Sequence, residues 1–222
     1  MLQDTVFSEG EGDAWFERNR DCYDQRQDPV VDFLSSHPVQ PHAILEIGAS
    51  RGDRLDALRE RYRAAVTAVE PSAAAVADGR HRFPEIQFFV ATAKLLPLAD
   101  DTFDFVIINF VFHWIDRKSL LASAAEVDRV LQSGGHLLIG DFAPFAPKKN
   151  RYHHRPDLEL YTYKQDYPAL FLSTAGYRLL AQQILDYRTL KPSSEVPERE
   201  RCSMTLLHKV PGGVYGNESG DF

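Results

Sequence analysis

Cysteine is nearly absent: Cys22 and Cys202 are the only two in 222 residues, far apart and outside any C-x-x-C spacing. That excludes a disulfide scaffold and a cysteine-based zinc site, and it predicts a metal-free chain of the reducing cytoplasm. Basic charge is also scarce. Lys and Arg number 25 against 32 Asp and Glu, a net charge of −7, so there is no global footprint for a nucleic-acid backbone. No apolar run reaches the roughly 18 residues of a membrane span, and MLQDTVFSEGEGD has neither a basic n-region nor an apolar h-region. Asn217-Glu218-Ser219 fits a glycosylation sequon and is read as a chance match. No internal repeat is visible.

What is present is a regular alternation of apolar strands and helical stripes, with 44% hydrophobic residues, enough for one full core. Residues 11–26 read as a polar helix carrying Trp15, Phe16 and Tyr23. Strands are predicted at Ala43–Ile47, Ala65–Val69, Ile86–Val90 and Phe103–Phe110. Helical spacing places Leu55, Leu58 and Tyr62 on one face, and Leu120, Ala124, Val127 and Leu131 on another. Gly134-Gly135 reads as the stop of that second helix, with a fifth strand at His136–Phe142. The order predicts an α/β fold: a Rossmann-like, doubly wound, mostly parallel seven-stranded sheet with helices on both faces and an antiparallel C-terminal strand. Residues 143–165 read as a long functional loop. A short helix near Asp166–Thr174 follows, then strands at Tyr177–Tyr187 and Arg201–Val210. The expected organisation is an N-terminal helical lid over 1–40, a core domain over 41–210 and a loose tail over 211–222.

The turn after the first strand reads Glu46-Ile47-Gly48-Ala49-Ser50-Arg51-Gly52. It lacks the G-x-G-x-x-G spacing of a dinucleotide fingerprint, and Arg51 and Asp53 would crowd and repel a pyrophosphate, which argues against a nicotinamide-dependent oxidoreductase. A carboxylate inside a strand end suits a cationic ligand, because leaving it unpaired is costly. The alternative is a Glu46 paired within the fold, by a helix or an arginine. Glu70 ends the second strand, where an acid can accept from ribose hydroxyls. Together these residues predict a cationic adenosyl ligand, S-adenosylmethionine.

The stretches ILEIGASRG, AVEPS, ATAKLLPLADDTFDFVIINFVFHW and EVDRVLQSGGHLLIGDF occur in the order found in class I S-adenosylmethionine-dependent methyltransferases, which the chain resembles over roughly residues 40–142. GEGDAWFERN and RYHHRPDLELYTYKQDY resemble a bacterial subgroup accompanying surface-polysaccharide or small-metabolite biosynthesis. The resemblance implies that Glu46, Gly48, Ala49, Ser50 and Gly52 line the methionine end of the cofactor. It implies that Glu70 holds the ribose beside Pro71 and Ser72, that Ala91, Thr92 and Ala93 edge the adenine, and that Asn109 and Phe110 lie near the sulfonium. Ser50 stands where the family has a glycine and Thr92 where it has an aspartate, the latter a weaker acceptor. S-adenosylhomocysteine is the implied product.

His113 is the leading candidate for a general base, and Asp141 for a partner of the acceptor hydroxyl. The basic run KKNRYHHR suggests an anionic acceptor bearing a phosphate or carboxylate. Its wall is assigned to Lys149, Arg151, Tyr152 and His153, completed by Tyr163 and Lys164. Trp15 is assigned to cover the cofactor, with Arg18 or Asn19 reaching its methionine carboxylate. The expected function is methyl transfer to a small polar acceptor, with oxygen as the expected atom. The alternatives are a non-catalytic cofactor-binding scaffold or activator subunit, and a nucleic-acid methyltransferase, which the charge argues against.

Overall fold

The protein is described by a computed structural model, which covers residues 3–21 and 28–212. The expected Cys22 and Tyr23 end of the first helix, and the tail beyond residue 212, lie outside the described residues.

The chain enters through a short helix α1 (Gln3–Val6), a π-helical turn over Phe7–Glu11 and α2 (Gly12–Asn19). Helix α3 (Pro29–Ser35) starts where the Asp28 side chain accepts from the Val30 and Val31 N–H groups, with proline at the first helical position. The core alternates as read: β1 (Ala43–Ile47), α4 (Asp53–Tyr62), β2 (Ala65–Glu70), α5 (Ala73–Arg82), β3 (Gln87–Val90), β4 (Phe103–Asn109), α6 (Leu120–Val130) and β5 (Leu131–Phe142). A hairpin, β6 (Lys148–Arg151) and β7 (Tyr161–Lys164), precedes α7 (Ala169–Leu172), β8 (Tyr177–Asp186), the two-residue β9 (Lys191–Pro192) and β10 (Arg201–Lys209).

The main sheet runs β3-β2-β1-β4-β5-β10-β8-β9, with β6-β7 as a separate ribbon. Strands β1 to β5 pair in parallel, while β10 lies antiparallel between β5 and β8. The seven expected strands are there, and β9 adds a two-residue pairing at the edge. Period-2 alternation divides the core between the two faces. Ile44, Phe105 and Ile107 pack with Phe33, Leu34, Leu55 and Leu58 on one face; Leu45, Ile47, Val106 and Ile108 pack with Leu120, Val127 and Val130 on the other. Both faces are covered, which is why these strands are apolar nearly throughout.

Two expectations need correcting. Gly134-Gly135 does not stop a helix: α6 already ends at Val130, and the glycines lie inside β5, where the β4–β5 register shifts. Gly134 has φ +84, and a Cβ on Gly135 would lie 2.9 Å from the Asp104 carbonyl oxygen, so this irregularity needs glycine at both places. Residues 143–165 are not one long loop but hold the β6–β7 hairpin.

Candidate functional site

The strand order reverses between β1 and β4, the point at which open parallel sheets hold ligands beyond their carboxyl ends. There the structure opens a cavity of about 980 Å³. The β1 turn forms one wall. Gly48 has φ +75, and a Cβ on it would lie 2.2 Å from Val111 Cγ2; Gly52 has φ +91. Ser50 at φ +50 and Phe110 at φ +55, both lining the cavity, occupy the left-handed region without being glycine. Such backbone strain of about 1–2 kcal/mol per residue collects at functional sites.

Of the residues assigned to the cofactor, Gly48, Ala49, Ser50, Glu70, Pro71, Thr92, Ala93, Asn109, Phe110, Trp15 and Asn19 line this cavity together with Ala91. Glu46, Gly52 and Arg18 do not. Glu46 is buried behind the turn and is not waiting unpaired for a cation: its Oε1 accepts from Arg54 Nη1. Arg54 Nε in turn donates to both oxygens of Asp28, at 3.0 and 2.9 Å. The other Glu46 oxygen, Oε2, is buried with no partner. Burial pushes this carboxyl up to about 7 against the pull of Arg54. Arg54 is a cavity residue that sequence reasoning missed. The available signal was an arginine in the first turn of a helix, against the dipole. Arg51 is buried and donates from Nε to Asp53, 2.8 Å away.

Glu70 sits at the end of β2 with each carboxylate oxygen held by one backbone donor. Oε2 accepts from the Ser50 N–H and Oε1 from the Ser72 N–H, both at 2.9 Å. Burial pushes Glu70 up to about 7, and those two donors only partly offset it. Two further cavity-lining polar atoms, Ser50 Oγ and Asn109 Oδ1, are buried without a partner. Gly140 makes room for the latter, since a Cβ there would lie 2.0 Å from Asn109 Oδ1.

His113 stands on a short 3₁₀ turn, Phe112–Trp114, after β4. Its Nδ1 lies 2.9 Å from Asp141 Oδ1, without the alignment of a hydrogen bond, and its backbone N–H donates to Asp141 Oδ2 at 3.2 Å. Asp141, expected at the acceptor hydroxyl, is buried and borders neither this cavity nor the chamber beside it.

His113 also borders a second chamber of about 700 Å³, which shares Trp15, Asn19, Trp114 and Tyr187 with the first. The hairpin forms its outer wall. Directly paired residues of an antiparallel ribbon share a face. Lys148 opposite Lys164 and Asn150 opposite Thr162 face the chamber, as do Arg151, Tyr152 and His153 near the hairpin end. Lys149 and Tyr163, expected there, pair on the opposite face, where Lys149 Nζ lies 3.7 Å from the centroid of the Tyr161 ring. The alternation of a strand separates neighbours that a loop would have kept together.

The N-terminal segment ties the two openings together. Asp13 accepts from Ser72 Oγ at 2.6 Å, beside Glu70, and from the Ala74 N–H at 3.0 Å. Glu11, itself buried, accepts from the Tyr152 hydroxyl at 2.6 Å and from Arg18, and Arg18 Nη2 also donates to that hydroxyl at 2.7 Å. Arg18 is therefore held at the hairpin and away from the first cavity; of the pair Arg18 or Asn19 expected at the methionine carboxylate, Asn19 is the one that lines it.

Residues 45–139 match the family model described as a methyltransferase domain. Over these residues the chain is similar to that domain. An uncharacterized methyltransferase of Mycobacterium tuberculosis is 30% identical over 135 residues, covering 61% of this chain and 52% of that protein. The malonyl-[acyl-carrier protein] O-methyltransferase of Geobacter sulfurreducens is 34% identical over 110 residues, covering 48% and 40%. The chain thus spans about half the length of the curated relatives it matches. Among solved structures, the 1,6-didemethyltoxoflavin-N1-methyltransferase of Burkholderia thailandensis, with bound 1,6-didemethyltoxoflavin and S-adenosylhomocysteine, superposes with TM-score 0.70. At 16% identity over 93% of this chain and 88% of that one, this is a likeness of fold.

The matched residues supply the turn, Glu70, Thr92, Asn109 and His113. The second chamber is walled mainly by residues outside that match: Trp15 and Asn19 before it, the hairpin, Glu198 and Arg199 after it. Among the described residues no group of His, Cys, Asp or Glu is arranged to hold a metal ion, and no helix is long and apolar enough to cross a membrane.

Proposed function

We propose that the chain transfers a methyl group from S-adenosylmethionine to an oxygen of a small polar acceptor, anionic or sugar-like, as in small-metabolite or surface-polysaccharide biosynthesis. The observation that carries this reading is Glu70: a carboxylate at the cavity wall, opposite the glycine turn, with both oxygens oriented by backbone donors. The rest of the cavity fits the cofactor. Six carboxylates line it against three Lys and Arg, which suits a cation. The orphaned Ser50 Oγ and Asn109 Oδ1 offer partners to a polar ligand.

In this reading Glu70 accepts the ribose hydroxyls, Ala91, Thr92 and Ala93 edge the adenine, and Gly48, Ala49 and Ser50 meet the methionine end. Gly52 shapes the turn from behind, and Glu46 supports it through Arg54. Asn109 and Phe110 close the side nearest the reacting centre. The bound cofactor supplies a sulfonium-activated methyl group. His113 accepts the proton of the acceptor hydroxyl, and Asp141 holds the imidazole in place; such a base contributes about 10² to 10⁴-fold. Residues 3–19, with Trp15 and Asn19 on both openings, act as the lid.

An open chamber beside His113 favours an enzyme over a non-catalytic scaffold, whose acceptor pocket would be blocked. The names of the relatives and neighbours span transfer to oxygen, carbon and nitrogen; oxygen is favoured here because a hydroxyl needs the base that His113 offers. The test is calorimetric titration with S-adenosylmethionine and S-adenosylhomocysteine. Micromolar binding by the wild type, weakened at least about tenfold in Glu70→Ala, supports the reading. A folded wild type that binds neither compound overturns it.

A further inference from the structure

The second chamber carries a charge opposite to that of the molecule around it. On a chain of net charge −7, its wall holds Lys148, Arg151, Lys164 and Arg199 against one carboxylate, Glu198. Two of these cations are answered locally: Lys148 by Glu198 at 3.2 Å, and Arg199 by Glu200 at 3.1 Å. Lys164 has no ion pair among the described residues. Its half-buried ammonium lies 3.5 Å from the centroid of the Phe142 ring, and that ring packs edge-on to His113 at 5.1 Å between centroids. Lys148 and Lys164 are also directly opposite in the ribbon, an arrangement of like charges that destabilises a strand pair.

A folded chain tolerates such a pair most readily when an anion comes between them. We propose that the second chamber binds the anionic group of the acceptor, a carboxylate or phosphate, with Lys164 and Lys148 as its anchors and Arg151 at the rim. This rests on the methyl-transfer reading and narrows its acceptor from polar to anionic. It also fixes the distance class of the substrate: the anion sits one aromatic ring away from His113, so the hydroxyl to be methylated and the anion belong to the same small molecule. Burial depresses the Lys164 ammonium from its ordinary range, in keeping with a cation that lacks its counter-ion.

Trp15 and Trp114 are the only tryptophans of the chain, and both line this chamber. Both also line the first cavity, so their fluorescence reports on either space and the hairpin variants assign a response to the chamber. Inorganic phosphate and acetate, titrated separately into the full chain with and without S-adenosylhomocysteine, distinguish the two anion chemistries. The expected result is a saturable change with at least one of them, weakened at least about tenfold in Lys164→Met and in Lys148→Met. Lys164→Arg retains binding. Lys149→Met, which removes the same charge from the other face of the hairpin, leaves binding unchanged. If Lys164→Met does not fold, Lys148→Met and Lys149→Met decide. No saturable response to either anion, or equal loss in Lys149→Met, overturns the proposal. Protein that binds S-adenosylhomocysteine but neither anion overturns this proposal alone. Protein that binds an anion here but no S-adenosylhomocysteine overturns the methyl-transfer reading instead.

Discussion

At the scale of single residues, Glu70 makes the site sensitive to pH. Its carboxyl is raised from an ordinary 4.5 to about 7 by burial, so it is half protonated near neutrality. The ionised form is the better acceptor for two hydroxyls. Affinity for S-adenosylhomocysteine is expected to rise as pH passes up through about 7 and to level above it, while Glu70→Gln binds more weakly and without that step. For stability the sign is reversed. The folded chain holds this proton more tightly than the unfolded one, so Glu70 takes stability away as pH rises from 4.5 toward about 7, with no further change beyond. Ser50 carries a second residue-scale prediction. It combines a left-handed φ with an orphaned hydroxyl. Ser50→Gly is expected to stabilise the ligand-free protein by about 1 kcal/mol, or about 2–4 °C in Tm, after the entropy of glycine in the unfolded chain is subtracted. A lower Tm in thermal unfolding contradicts this.

At the scale of elements, the hairpin and the N-terminal segment behave as one unit, because Glu11 is buried and satisfied from both sides. Tyr152→Phe removes one of its donors and is expected to destabilise the contact by about 1–3 kcal/mol. Hydrogen exchange should then speed up in residues 3–19 and 148–164 together; acceleration in only one of them separates the two. Legibility also divides at this scale. Strands β1, β2 and β4 were readable because parallel strands covered on both faces are apolar runs, and Pro41 and Pro71 punctuate the first two. The hairpin was not, since Lys148-Lys149-Asn150-Arg151 has no apolar alternation to betray a strand; pairing with β7 makes it one. The same holds for the site. The glycine turn and Glu70 are local features of the sequence. The Glu46–Arg54–Asp28 cluster and the retreat of Arg18 to Tyr152 depend on contacts between distant segments, which no local pattern encodes.

At the scale of the whole molecule, charge is partitioned between two adjoining spaces: an acidic cavity and a basic chamber, separated by Trp15, Asn19, His113, Trp114 and Tyr187. Ionic strength should act on them unequally. The chamber works through long side chains near solvent, whose fields fall off over a Debye length of about 10 Å at 0.1 M salt. Added salt is expected to raise the KM for an anionic acceptor several-fold while changing S-adenosylhomocysteine affinity less than about twofold, which parallel titrations would check. Equal sensitivity of both argues against the partition.

The opposite signs of the two spaces have a further consequence, for errors rather than for binding. An anion that strays into the cavity faces six carboxylates, and a cation that strays into the chamber faces four Lys and Arg. Charge alone thus sorts the two visitors before shape is compared, and it disfavours dead-end complexes in which a ligand occupies the wrong half.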